Sequence, residues 1–333
     1  MGNNISRKHF ISESIMAVAS ASLAGNSIGK NIFDKDVFTR NPTNRKGFES
    51  DKLKICIFSK NLQWLNYNDM ASLAAEMGFD GIDLTVRPDG HVLPERVNED
   101  LPKAVEAAQK AGLKIYTLTT NIQEANEKYA ESIIKTAASL GIKHYRTGWY
   151  TYNETLDIPD NIDLIKNKFV GLEQINSQYG IYGDYQNHMG EYFGASIWDL
   201  WLALKDIKTD FIGCQFDIRH ATVEGANTWI RGLQLLHSHI KTIAVKDFYW
   251  EKRNNKWQVK NISIGKGVVD FKRYFELVKK YNLPGPLSMH CEYPLGGAEN
   301  GNKELTISKK QFVNIVQNDL ATLKSLLQGA SLI

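Results

Sequence analysis

Gly285-Pro286-Leu287-Ser288-Met289-His290-Cys291-Glu292-Tyr293-Pro294-Leu295-Gly296-Gly297 is a short apolar run that delivers a histidine and a glutamate just before a glycine-rich loop. On a strand, residues 290 and 292 project from the same face. A carboxylate and an imidazole at the end of a buried strand are costly unless paired, hydrogen-bonded or metal-bound. The run therefore raises the question of which other strand ends supply partners.

Seven runs of the same kind precede it, at residues 53–58, 81–85, 114–118, 142–146, 181–186, 211–216 and 240–245, and the run itself is the eighth strand, 287–291. Between them apolar residues recur at three- and four-residue spacing, as at Ala104, Ala107, Ala108 and Ala111, or Ile133, Ile134, Ala137 and Leu140, the pattern of helices with one buried face. Glycines 78, 112, 141 and 180 end such stretches and suit helix C-caps. Eight strands, each followed by a helix pattern, predict an α/β fold, a single-domain (β/α)8 TIM barrel, over a doubly wound sheet. The first strand leads into Ser59-Lys60-Asn61-Leu62-Gln63-Trp64, which lacks the glycine fingerprint of a dinucleotide fold. The seventh connection is long: residues 249–264, with Asn254-Asn255 in the middle and Trp250 and Trp257 flanking, read as a hairpin. It serves either as a lid or rim element or as decoration.

The 333 residues suit one barrel of about 250 residues with a leader and extensions. Residues 1–30 resemble a twin-arginine export signal, with Arg7-Lys8 followed by an alanine- and serine-rich apolar stretch. Residues 31–51 read as a linker, and 52–333 as the barrel. A periplasmic location is the expectation, an ordinary N-terminal tail on a cytoplasmic protein the alternative. No later segment is long enough to span a membrane. The net charge of +3 comes from 40 basic and 37 acidic residues without a long basic run, which argues against a nucleic-acid partner. Cys56, Cys214 and Cys291 lie within apolar runs and read as buried free thiols.

A barrel of this kind carries its chemistry at the C-terminal ends of its strands. There the second strand gives Arg87 to His91, the fourth Arg146 with Trp149, the fifth Gln186 and His188, the sixth Asp217, Arg219 and His220, the seventh Lys246-Asp247, and the eighth His290 and Glu292. Each alone has an ordinary structural explanation, Lys246-Asp247 being readable as a rim ion pair. Their shared end is what points to a site. Gln186, Asp217 and Glu292, with an imidazole nitrogen from His290 or His188, offer a mixed oxygen and nitrogen donor set suited to Mn²⁺, Zn²⁺, Co²⁺ or Mg²⁺. Such a metal would hold sugar oxygens and ease loss of a proton beside a carbonyl.

Tyr185-Gln186-Asn187-His188, Phe216-Asp217-Ile218-Arg219-His220, Ala244-Val245-Lys246-Asp247-Phe248, Gly265-Lys266-Gly267 and His290-Cys291-Glu292-Tyr293 together make residues 52–333 resemble the sugar phosphate isomerase/epimerase family of the xylose isomerase-like barrel superfamily. The resemblance implies a metal held by a glutamate on the fifth strand, an aspartate on the sixth, a histidine on the seventh and a glutamate on the eighth. Asp217 and Glu292 match, and His220 falls at a substrate-binding position. Gln186 stands where the first glutamate is expected and Ala244 where the histidine is. Glutamine takes no proton at neutral pH, so Gln186 is excluded as a second base. Glu292, His188, His290 and Lys246 are left as catalytic candidates, with His220, Arg219, His91, Arg146 and Trp149 around the substrate. The expectation is thus a divalent-metal sugar isomerase or epimerase working through an enediolate, with possible homo-oligomerisation. Its alternatives are elimination from a keto-sugar or keto-glycoside, and a non-catalytic carbohydrate-binding barrel.

Overall fold

The computed structural model describes residues 53–207 and 210–333, so the expected export signal and the expected linker lie outside the described residues. Eight parallel strands close into a barrel: β1 (Ile55–Phe58), β2 (Gly81–Thr85), β3 (Lys114–Thr119), β4 (His144–Arg146), β5 (Tyr182–Gln186), β6 (Ile212–Asp217), β7 (Ile240–Val245) and, after the two strands of a hairpin, β10 (Leu287–Met289). They follow chain order around the barrel, and β10 pairs with β1 in the register Leu287 to Ile55 and Met289 to Ile57. The intervening helices include α1 (Tyr67–Met77), α2 (Val97–Lys110), α3 (Ala130–Ser139), α4 (Ile158–Tyr179), α5 (Ile197–Leu204), α6 (Ile218–Gly225), α7 (Trp229–Leu236), α8 (Phe271–Lys280) and α9 (Lys309–Gly329). The barrel expectation holds.

The helices bury the faces that the apolar spacing marks, Ala104, Ala107 and Ala108 on α2 and Ile133, Ile134 and Ala137 on α3. Gly78 and Gly180 cap α1 and α4 in the left-handed conformation, at φ 92° and 66°, which a side chain would strain. The three cysteines are free and buried. None of the described helices is long and apolar enough to cross a membrane.

Polar groups are stacked inside the barrel below the site. Asp83 accepts hydrogen bonds from Thr119 Oγ1 (2.8 Å) and Ser288 Oγ (2.6 Å). Asp184 is held by His144 Nδ1 (3.0 Å) and Thr242 Oγ1 (3.1 Å). Asp83 accepts through both its oxygens, whereas Asp184 accepts only through Oδ2 and its Oδ1 is buried without a partner.

The hairpin is present. Strands β8 (Asp247–Arg253) and β9 (Lys256–Ile262) pair antiparallel about Asn254-Asn255, whose φ values of 49° and 60° suit a tight two-residue turn. Asp247 roots it, in a role other than the rim ion pair expected with Lys246. Its carboxylate accepts from the backbone N–H of Phe248 (2.8 Å), Gly265 (2.9 Å), Gly267 (2.9 Å) and Val269 (3.2 Å). A Cβ at Gly267 would lie 2.1 Å from the Phe248 carbonyl oxygen, so only glycine permits this close return of the chain.

Candidate active site

Where the strands stop, side-chain amides take over from the ladder and aim the polar residues. Asn187, just past β5, accepts from the Asp217 N–H (2.8 Å) and donates to the Asp217 carbonyl (3.1 Å). Asn61, just past β1, donates to the Cys291 carbonyl (2.8 Å) and accepts from its N–H (3.3 Å). β10 ends at Met289, so Cys291 depends on Asn61 for partners that a longer strand would have supplied. His290 and Glu292 nevertheless lie side by side, Nδ1 to Oε1 3.7 Å.

Lys246 is the centre of the cluster. Its ammonium lies 3.3 Å from Asp217 Oδ2 and 3.2 Å from Glu292 Oε2, and its side chain is buried. Asp217 Oδ2 also accepts from Gln186 Nε2 (2.8 Å), while Oδ1 accepts from the His220 N–H (3.2 Å) and so caps α6. Gln186 Oε1 accepts from Arg146 Nη1 (2.9 Å). The amide orientation follows from its neighbours, because a guanidinium only donates and a carboxylate only accepts.

Glu292 is the most accessible member, its side chain 22% exposed. Burial pushes its carboxyl up, but the Lys246 ammonium, His290 and Lys60 outweigh this and hold it well below the usual carboxylate range. It is therefore ionised at neutral pH. Lys60, whose Nζ is 3.6 Å from Glu292 Oε1, also lines a cavity of about 500 Å³ with Arg87, Gln123, Trp149, Tyr192 and Asn300. It links that cavity to the charged cluster.

The histidines divide by role. His188 donates from Nδ1 to the Met189 carbonyl (2.9 Å), which leaves the lone pair of the neutral ring on Nε2. Burial, then the Lys246 charge, lowers its pKa to about 4, and its ring lies against Trp149, Tyr192 and His220. His220 Nδ1 accepts from the Met189 N–H (3.2 Å), and Nε2 faces Asp217 Oδ2 at 3.7 Å. His290 stacks on Phe58 and is held neutral chiefly by burial. His91 stands apart from these. Its Nε2 lies 3.1 Å from the Leu62 carbonyl and its Nδ1 3.4 Å from Thr85 Oγ1, so it ties two loops together.

Arg146 lies over the Trp149 ring at 4.3 Å, and burial, then the Arg87 charge, pulls it down to about 9, still a cation at neutral pH. Arg219 donates to Asn261 Oδ1 (2.6 Å) on β9, and Asn261 Nδ2 donates to the Glu292 carbonyl (3.2 Å). The hairpin thus braces the site. Arg146 Nε, Trp149 Nε1, Arg219 Nε and His220 Nε2 are buried without a protein partner. Buried donors of this kind call for an oxygen-rich ligand.

The donor set does not fit a divalent metal. Gln186 turns its carbonyl oxygen to Arg146 and an N–H to Asp217, Ala244 offers only a methyl group, and an ammonium bridges the two carboxylates. Among the described residues no three His, Cys, Asp or Glu side chains are grouped to hold a metal. The residues of the expected shell, Gln186, Asp217, His290 and Glu292, are close together, with the Lys246 ammonium between the two carboxylates.

Lys60 and Asn261 are the site residues that sequence reading missed. Lys60 follows a strand end as the other candidates do, and that position was its signal. Asn261 had none, since its contact depends on how the hairpin folds back.

The family model described as "Xylose isomerase-like TIM barrel" matches residues 71–311. No curated protein matches the sequence. Among solved structures, 3-keto-D-glucoside 4-epimerase from E. coli is similar at TM-score 0.60 and 17% identity, covering 82% of this chain and 100% of that one. D-allulose 3-epimerase from Methylomonas sp., in complex with D-allulose, is similar at TM-score 0.59 and 13% identity, covering 82% and 97%. A xylose isomerase-like TIM barrel protein from Mycobacterium smegmatis, in complex with magnesium, is similar at TM-score 0.60 and 13% identity, covering 85% and 99%. At these identities the likeness establishes the fold.

Proposed function

The chain belongs to the xylose isomerase-like TIM barrel family, and from that premise we propose that it is a sugar epimerase or isomerase that removes a proton from a carbon next to a carbonyl. The observation that carries this reading is Glu292, an ionised and partly exposed carboxylate between two ammonium groups and an imidazole. The unpartnered donors of Arg146, Trp149, Arg219 and His220 support a polyhydroxylated substrate.

In this reading Glu292 takes the proton, and the electron pair of the broken C–H bond moves onto the carbonyl oxygen, giving an enediolate. The Lys246 and Lys60 ammonium groups stabilise the developing charge. As a substrate oxygen shares Lys246, its pull on Glu292 weakens and the carboxylate becomes a stronger base. Return of the same proton by Glu292 to the former carbonyl carbon, with the neighbouring hydroxyl proton passing to the former carbonyl oxygen as the new carbonyl forms, completes an isomerisation. Epimerisation needs a proton delivered to the opposite face; His188, neutral at pH 7 with its pKa lowered to about 4, is a poor donor for it, and isomerisation is the outcome favoured. Elimination is the second reading, favoured by Gln186. With a single carboxylate base, the enediolate expels a leaving group from the adjacent carbon instead of being reprotonated. Export through residues 1–30 belongs to the same proposal, and cell fractionation tests it.

The test is incubation in D₂O with a panel of keto-sugars and keto-glycosides, followed by NMR. Deuterium is expected at the carbon beside the carbonyl, and Glu292→Gln should slow its entry by about a hundredfold or more. Exchange at the wild-type rate in Glu292→Gln would overturn the assignment of the base. Sugar binding without exchange or product would overturn catalysis and leave a carbohydrate-binding barrel.

A further inference from the structure

We propose that the Lys246 ammonium is the resident cation of this barrel, and that the protein holds substrate oxygens with it in place of a bound divalent metal. Three features of the chain converge on this. The ammonium bridges Asp217 Oδ2 at 3.3 Å and Glu292 Oε2 at 3.2 Å, so the two anionic side chains of the expected shell already share a cation. Gln186 faces Asp217 with an N–H group at 2.8 Å, a polarity that a metal would meet with repulsion. Its oxygen is fixed on Arg146 at 2.9 Å, itself braced over Trp149, so turning the amide would set a donor against a guanidinium. The β7 position from which the resemblance implies a histidine is Ala244, fully buried, with no donor atom.

A metal entering here would have to displace a buried ammonium and turn the glutamine amide. Among the described residues no third His, Cys, Asp or Glu side chain is grouped with the two carboxylates to complete a shell. An ammonium suits what is present, since it donates to both carboxylates through two N–H groups and has a third for a substrate oxygen. The role of Lys246 toward substrate rests on the function proposed above, whereas its exclusion of a metal does not.

The experiment is metal binding by the full chain, measured by elemental analysis after purification and by calorimetric titration of chelator-treated protein with Mn²⁺ and Zn²⁺. The wild type is expected to show no saturable site. A Gln186→Glu/Ala244→His/Lys246→Met variant, checked for folding by circular dichroism, should bind one ion per chain at least about a hundredfold more tightly. One tightly bound ion per chain in the wild type would overturn the proposal. The wild-type titration decides the matter even where the triple variant fails to fold. Deuterium exchange that persists in chelator is expected, and exchange that requires added metal would equally overturn it. Absence of exchange with every sugar defeats the function proposed above, while the titration still decides whether Lys246 excludes a metal.

Discussion

Lys246→Met removes the cation that two carboxylates share, and the cost follows from the geometry. At 3.3 Å and an effective dielectric constant of about 20, a single ammonium–carboxylate pair is worth about 5 kcal/mol of gross Coulomb energy. Desolvation of the buried charges offsets much of that gain in the wild type, but it is not recovered when only one partner is deleted. Asp217 would keep the Gln186 N–H and the His220 N–H and lose its counter-charge. The expected loss is about 3–5 kcal/mol. Against a total stability of about 5–15 kcal/mol the variant stays folded but melts roughly 10 °C lower. Adding Asp217→Asn removes the stranded charge, so the double variant should be more stable than the sum of the single losses predicts, by about 1–3 kcal/mol. Urea denaturation of the four proteins at pH 7 measures this coupling. Acid provides an independent check. The depressed carboxyl of Glu292 contributes stability that is present above its unfolded value of about 4.3 and is lost as pH falls through the folded value. Because Lys246 is the largest force lowering it, the variant should lose less stability on acidification than the wild type. Additivity within about 0.5 kcal/mol, or an unchanged acid slope, would refute the shared-cation geometry.

Asp247→Ala strands four backbone N–H groups at the root of the hairpin and should cost about 3 kcal/mol or more, with faster proteolysis between residues 247 and 262. Melting and limited proteolysis indistinguishable from wild type would contradict that role. Asp319 on α9 accepts from the Ile264 N–H (2.7 Å) and the Tyr293 hydroxyl (2.8 Å), and burial pushes its carboxyl up to about 6. A raised carboxyl contributes stability that is fully present below its unfolded value of about 3.9 and is lost as pH rises through about 6. Asp319→Asn should therefore flatten the melting temperature between about pH 4 and pH 7, with up to about 3 kcal/mol at stake, and an unchanged pH profile would count against it.

The barrel was legible because each element obeys its own period. Short apolar runs became strands, three- and four-residue spacing marked the buried faces of α2 and α3, and Gly78 and Gly180 cap helices as expected. Asn254-Asn255 located the hairpin turn to the residue, since its positive φ values are ones that asparagine tolerates. The site was legible as a set of strand ends and illegible as a set of contacts. Nothing local to His91 reveals that its ring nitrogens face Leu62 and Thr85. Nothing local to Gln186 reveals which way its amide points, because Arg146 and Asp217 come from other strands and settle it only once the barrel closes. Lys60 escaped notice because the end of β1 was read for a glycine fingerprint alone.

The residues at positions 186, 244 and 246 make better sense together than singly. Three carboxylates and a histidine around a divalent cation, the set that the resemblance implies, sum to one negative charge. Asp217, Glu292 and Lys246 with a neutral Gln186 and Ala244 sum to one negative charge as well. A buried cluster that deviates far from this balance must recruit a counter-ion or shift its protonation. Gln186→Glu alone would set a third carboxylate against Asp217 Oδ2, where an N–H now lies at 2.8 Å, and the added charge could be met only by Arg146 on its far side. Ala244→His alone would bring a ligand to a centre still filled by an ammonium. Neither single change leads back to a metal site. The glutamine, the alanine and the bridging lysine therefore act as one electrostatic unit, and a chain that carries all three needs no further cation to hold Asp217 and Glu292 together.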